Sequence, residues 1–291
     1  MNKLLTIVIP SYKSSKILTK LLKTLPRKYK IIIIENSFDK QFGDKIEKEY
    51  SNLKVYLKKN IGFGRAINFA AKKIKTKYFI AINPDTIIYK NTLTNLLKAA
   101  EKIDIFGAIG PTHINFRDNK NKNFYLERDK LNGPANLFQT KTFKKIKGYD
   151  DKIFLYFEDN DYYKKCSILN LKLYLISNSF YNHSKPIKYN KSLDVKSSSF
   201  SNVNEKNYSY FVGGWHGQWS KFYYLKKYNG FFKAFIICMP SMIINIFQLI
   251  IYVLINPTKA KYKYFKIEGF LCSLIGMPSF RRSKYNLVVK Y

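Results

Sequence analysis

Residues 78–86 read Tyr-Phe-Ile-Ala-Ile-Asn-Pro-Asp-Thr. An apolar run ends abruptly in a polar turn. The same punctuation occurs twice upstream: Leu5–Ile9 ends in Pro10-Ser11-Tyr12, and Lys30–Ile34 ends in Glu35-Asn36-Ser37. Short β-branched runs bounded by turn residues predict strands buried on both faces. Helical spacing fills the gaps. Ser14 or Ser15 can cap a helix whose Ile17, Leu18, Leu21, Leu22 and Leu25 share one face, stopped by Pro26. A helical stretch at Phe42–Tyr50, a short strand at Lys54–Leu57 and a loop at Asn60–Gly64 follow. Arg65–Ile74 is a small-residue helix. Asn91 is placed to cap another helix, and Ile105–Ile109 reads as a further strand. This alternation predicts an α/β fold, a mostly parallel sheet flanked by helices. Ligands of such sheets bind beyond the carboxyl ends of the strands, where the three polar turns lie.

Composition narrows the classes. The chain has 291 residues, 46% hydrophobic and 17% aromatic, enough for one large domain and a smaller appendage. Three widely spaced cysteines, Cys166, Cys238 and Cys272, build neither a disulfide framework nor a metal knuckle, which suits a reducing compartment. The start, Met1 to Pro10, is too short and strand-like for a secretory signal. Net charge is +33, from 52 basic and 19 acidic residues. That balance draws a protein to polyanions or an anionic membrane surface. No basic recognition helix, zinc-finger spacing or RNA-binding aromatic motif accompanies it, so no specific nucleic-acid partner is expected. Residues 184–207, rich in Ser, Lys and Asn, read as a long loop able to close over a substrate.

Three segments carry candidate chemistry. Phe154-Leu-Tyr-Phe-Glu158-Asp159-Asn-Asp161 sets three carboxylates directly behind an apolar run. Buried charge is expensive unless it caps a helix, binds a cation or does chemistry. Asp85, in Asn83-Pro84-Asp85, either caps its turn or holds a divalent cation on a diphosphate. Asn60-Ile-Gly62-Phe-Gly64-Arg65-Ala-Ile-Asn68 opens a helix with two glycines and an arginine, features that favour a phosphate.

In this order and spacing, over roughly residues 4–230, these motifs resemble family 2 glycosyltransferases. The likeness is strongest to the rhamnosyltransferase-like branch that builds bacterial surface polysaccharides. Thr6–Tyr12, Ile33–Ser37, Asn60–Asn68, Asn83–Thr86, Gly133–Ala135, Gly148–Asp150, Phe154–Asp161 and His183 carry it. The resemblance implies the GT-A fold, a Rossmann-like mixed sheet, over residues 1–228. It implies transfer of a hexosyl or rhamnosyl group, with inversion, from a dTDP- or UDP-linked sugar to a lipid-linked or growing polysaccharide acceptor. Pro10, Ser11, Tyr12, Glu35, Asn36, Gly62, Gly64, Arg65, Asn68 and Asn83 fall at donor-binding positions. Glu35 stands where the family usually has Asp. Asp85 matches the last acid of the metal motif, with Asn83 in place of the first. His183 matches a histidine that completes coordination of Mg²⁺ or Mn²⁺ in some members, and otherwise reads as a strand-end residue. Asp159 matches the catalytic base and Glu158 its supporting group. Asp161 reads as a helix-surface charge pairing with Lys164 or Lys165. Trp215 and Trp219, spaced i, i+4, suit either one packed helix face or a sugar platform.

Residues 229–291 read as a helical, membrane-associating region. Ala234–Ile255 is uncharged and long enough for a bilayer span, and Gly269–Phe280 could return the chain. Lysines on both flanks oppose a single span under the positive-inside tendency, which favours in-plane or re-entrant helices on the cytoplasmic face of a bacterial inner membrane. Two other readings compete. A sugar-phosphate nucleotidyltransferase would carry a basic Gly-rich loop where Pro10-Ser11-Tyr12 stands. A non-catalytic polyanion binder would show steep salt dependence and no donor turnover.

Overall fold

The computed structural model describes residues 4–116, 124–183 and 211–279. The expected loop at 184–207 lies outside the described residues. The chain forms two compact units, Met1–Tyr149 with Tyr162–Ser197, and Asp150–Asp161 with Ser198–Tyr291. Residues 150–161 thus group with the C-terminal helices.

The first unit is built on four parallel strands, β1 (Leu5–Ser11), β2 (Lys30–Glu35), β3 (Leu53–Leu57) and β4 (Tyr78–Ile82). Helices α1 (Ser15–Thr24), α2 (Lys40–Glu49) and α3 (Phe63–Lys73) join them. The isoleucine runs are continuous because the sheet is buried on both sides. Ile7, Ile9, Ile31, Ile33, Ile80 and Ile82 face one core layer. Val8, Ile32, Ile34, Phe79 and Ala81, one residue out of phase, face the other. On α1, Leu18, Leu21 and Leu22 are buried at helical spacing. Ser14 sits at its N-cap but spends its hydroxyl on Ser11 Oγ, 3.0 Å away.

After β4 the sheet becomes mixed. The remaining elements are β5 (Thr86–Ile88), α4 (Thr92–Lys102), β6 (Ala108–His113), β7 (Tyr125–Arg128), β8 (Ala135–Gln139), α5 (Thr140–Lys145), α6 (Glu158–Ile168) and β9 (Leu173–His183). The sheet order is β3-β2-β1-β4-β8-β6-β9-β5, with β7 on β9. Asn91 precedes α4 with φ 67° and makes no side-chain cap bond. The strand expected at Ile105–Ile109 lies at Ala108–His113 instead, and Ile105 is exposed. The strand carries Pro111 because its pairing with β9 shifts register between Pro111 and Thr112.

In the second unit a π-helical turn at Val212–His216 leads into α7 (Gly217–Asn229), α8 (Phe231–Ile255) and α9 (Pro257–Leu274). Gly230, at φ +80°, separates α7 from α8. Gly269 lets α9 approach closely: a Cβ there would meet the Trp215 carbonyl oxygen at 2.2 Å. Trp215 and Trp219 are buried with Phe211, Phe265 and Cys272. Phe222, Ala234, Cys238, Met242 and Phe270 form a second cluster. The helix that returns past α8 is the lysine-bearing α9, which begins well before the apolar stretch expected at Gly269–Phe280.

Candidate functional site

The carboxyl ends of β1, β2 and β4 lie on one edge of the sheet, in the register Ser11 to Glu35. Pro10, Ser11, Glu35 and Asn36 are buried there, and Tyr12 is half-buried. Glu35 is turned inward. One oxygen accepts from Ser11 Oγ at 2.6 Å. The other accepts from the Ser37 N–H at 2.8 Å and from the Ser37 hydroxyl. Its carboxylate therefore ties the two strand ends together. Asn36 differs: its carbonyl Oδ1 is buried with no hydrogen-bond partner among the described residues. An orphaned buried acceptor is costly and calls for a ligand or water.

Asp85 follows β4, and His183 ends β9. Pairing of Thr86 with His183 brings the two together although 98 residues separate them. His183 Nε2 lies 3.0 Å from Asp85 Oδ1, and both side chains are partly exposed. Adjacent ligands of an octahedral cation bound at about 2.1 Å stand about 3.0 Å apart, so the pair fits two positions of such a shell. No group of three or more His, Cys, Asp or Glu side chains suited to a metal occurs among the described residues. A cation here would draw its other ligands from phosphate oxygens and water. Asn83 is half-buried beside this turn, its N–H bonded to the Pro134 carbonyl at 2.9 Å.

Gly62, at φ +86°, turns the chain into α3, with its N–H donating to Asn60 Oδ1 at 3.1 Å. Gly62 and Gly64 are buried and Arg65 half-buried. Asn68 has another duty. Its Nδ2 donates to the Tyr149 carbonyl at 2.9 Å, and its Oδ1 accepts from the Tyr149 N–H at 3.0 Å. This amide clamp fixes the Gly148–Tyr149 turn. Gly148, at φ +54°, is required there, since a Cβ would meet Asn68 Oδ1 at 2.3 Å.

The acidic segment belongs to the second unit. Glu158 and Asp159 open α6, behind Tyr156 and Phe157 at φ 63° and 64°. Two successive non-glycine residues in the left-handed region cost on the order of 1–3 kcal/mol each, and persist only where the surroundings hold them. One face of α7 and its lead-in does so. His216 stacks on Phe154 at 4.7 Å, Ser220 Oγ donates to the Leu155 carbonyl at 2.9 Å, and Tyr224 packs on Phe157. Tyr223 OH and Lys227 Nζ donate to Asp150 Oδ2 at 2.9 and 2.7 Å. Lys227 Nζ also reaches Asp161 Oδ1 at 2.5 Å, which accepts from Tyr228 OH at 2.9 Å.

Asp161 is therefore no surface charge. It is fully buried and bonded to Lys227 and Tyr228, while Lys165 donates to the Gly148 carbonyl. Burial opposes the charge of Lys227, but its two carboxylate partners prevail and hold its pKa above the usual range. The Asp150 carboxyl is likewise held below its usual range, Lys227, Tyr223 and a backbone N–H outweighing burial. Glu158 has no such cation among the described residues. Burial, with the Asp159 charge adding, pushes its pKa up to about 8, and its Oε2 has no hydrogen-bond partner among the described residues. At neutral pH Glu158 is a proton donor beside the half-buried Asp159.

The tryptophans resolve as core: Trp215 and Trp219 are 2% and 4% exposed, and Trp219 Nε1 donates to the Met277 carbonyl at 2.8 Å. The face made by His216, Ser220, Tyr223, Tyr224, Lys227 and Tyr228 went unread in the sequence. Its i, i+3, i+4 spacing was the available signal.

A mixed sheet whose parallel half ends in polar turns, with an Asp–His pair on its edge, defines the class: this is a GT-A-like fold. The chain belongs to glycosyl transferase family 2, whose model matches residues 6–174, more than half of it. No curated protein matches significantly. Among solved structures, the mannosyltransferase PcManGT from Pyrobaculum calidifontis, in complex with GDP-Man and Mn²⁺, is similar in fold. Its TM-score is 0.57 at 10% identity, over 93% of this chain and 86% of that one. S. aureus TarS 1–349 gives 0.51 at 15% identity, over 91% and 90%. GalNAc-T7 with UDP, GalNAc and Mn²⁺ gives 0.55 at 15% identity over 77% of this chain, which spans about half (51%) of GalNAc-T7.

Proposed function

We propose that this glycosyltransferase moves a hexosyl or rhamnosyl group, with inversion, from a dTDP- or UDP-linked donor to a lipid-linked or growing surface-polysaccharide acceptor. It would work at the cytoplasmic face of a bacterial inner membrane. The observation that carries the donor side is the Asp85–His183 pair at the strand edge. Similar folds have been crystallised with UDP or GDP-Man and Mn²⁺, which supports a diphosphate donor and a divalent cation. Asp85 and His183 would hold Mg²⁺ or Mn²⁺, which supplies positive charge for the departing diphosphate.

The chain's own residues do the rest. Gly62 and Gly64 allow close backbone approach at the start of α3, and Arg65 pairs with phosphate. Ser11 and Glu35 brace the strand ends, leaving Asn36 Oδ1 to accept from the base of the donor. The acceptor oxygen bonds to the anomeric carbon as the bond to the diphosphate oxygen breaks, and Asp159 takes the acceptor's proton. Glu158, protonated, donates a hydrogen bond that orients the acceptor. One displacement inverts the anomeric centre.

Asp159→Asn should lower turnover by about 10²–10⁴-fold. It should leave the Mn²⁺-dependent thermal shift with the donor intact. Asp85→Asn should abolish that shift. Unchanged turnover in Asp159→Asn would remove it as the base.

A further inference from the structure

We infer that α8 and α9 form a two-faced paddle that lies in the surface of an anionic lipid bilayer, with α8 among the acyl chains and α9 at the headgroups. The inference deepens the membrane reading above and rests on it for the place of the acceptor.

Helix α8 has 25 residues, about 37 Å, and buries only a stripe of Ala234, Cys238, Met242 and Asn245. The opposite face, Ile236, Ile243, Phe247, Ile250 and Leu254, is exposed. Apolar exposure on this scale marks an interaction surface. Apart from Lys233 in its first turn, the polar side chains of α8 are not spread round it. At 3.6 residues per turn, Ser241, Asn245, Gln248 and Tyr252 fall on or beside the buried stripe. They face α9, as two contacts fix. Lys259 Nζ lies 5.4 Å from the Tyr252 ring centroid, and Lys263 Nζ donates to Asn245 Oδ1 at 3.3 Å. Phe235 and Phe270 meet farther along, so the helices run antiparallel.

That register decides between spanning and lying flat. Asn245 is ten residues from Ile255, about 15 Å along the axis. If α8 crossed a hydrocarbon core of ~30 Å from that end, Lys263 would sit near its midplane. Lys259 and Lys261 would be drawn in with it, and Lys266 lies one turn farther on. An ammonium at the midplane is strongly disfavoured. Laid flat, the same pair works. The isoleucine face enters the acyl region, and the lysines of α9 reach the headgroup layer. Four lysines on α9 and a chain charge of +33 select an anionic surface.

The test is flotation of the full chain, without donor, on phosphatidylcholine vesicles with and without phosphatidylglycerol. Binding to the anionic vesicles alone, reversed by alkaline carbonate, is expected. Lys259→Gln with Lys261→Gln should weaken it roughly thirtyfold. Ile243→Ser, Phe247→Ser and Ile250→Ser together should abolish it while leaving the donor thermal shift unchanged, because these side chains are exposed. Carbonate-resistant retention would overturn the inference in favour of a span. Equal binding to neutral vesicles would overturn the role of α9. Absence of flotation with a concentration-dependent dimer would assign the face to a second copy. Flotation without any donor shift would uphold the paddle and overturn the donor reading.

Discussion

Glu158 holds a carboxyl in a place that refuses its charge. It is 8% exposed, and its pKa of about 8 lies far above the 4.5 of an ordinary glutamate. Between those values the unfolded chain has released the proton and the folded chain has kept it. Stability therefore falls as pH rises through this window, by an amount on the order of a few kcal/mol. Glu158→Gln cannot ionise. We expect the variant to match the parent in thermal stability near pH 5 and to exceed it near pH 8, as read by calorimetry across that range. Equal pH slopes in the two proteins would show that Glu158 ionises normally. The neighbouring elbow at Tyr156–Phe157 adds strain to the same few residues. Strain and a buried carboxyl oxygen without a partner among the described residues together are a cost that folding alone does not explain. At this scale the sequence was legible in residue type but not in state. Three carboxylates stood close together, and nothing local said that Asp161 would be buried against Lys227, Glu158 protonated and Asp159 half-buried.

Helix α7 decides those states. Its face grips residues 150–161 through aromatic stacking, hydroxyl donors and one lysine shared by two carboxylates. Removing the lysine leaves a fully buried Asp161 without its cation. Lys227→Met should destabilise the protein by about 3 kcal/mol. Adding Asp161→Asn should restore part of the loss, since the two side chains are directly coupled. Denaturation of both single variants and the double variant checks this; additive losses would refute the coupling. The strands and helices up to residue 102, β5 apart, were legible because buried parallel strands and amphipathic helices write their period locally. Strands β6 to β9 were harder. They pair antiparallel or across long gaps, one carries Pro111 at a register shift, and β7 is short and exposed. Hydrophobic periodicity does not encode such partners.

Over the whole molecule, length and composition predicted one large domain and a smaller appendage, and the alternating pattern with the family resemblance put the boundary at 228. A chain cut there would keep Trp215, Trp219 and Phe222 but lose Phe265, Phe270 and Cys272, which cover them. We expect that truncation to be poorly soluble and to be cleaved by protease within residues 150–161. A soluble, protease-resistant product would show that the sheet unit needs nothing beyond α7. What the sequence determined by itself is the order of strand, turn and helix, and with it the edge on which polar turns collect. Those depend on patterns a few residues long. The meeting of Asp85 with His183, the inward turn of Glu35, the burial of Asp161 against Lys227 and the lysine-bearing partner of α8 were decided only by the tertiary structure. Each joins residues distant in the chain or sets a side chain among neighbours from other elements, and strand register and helix rotation set such contacts.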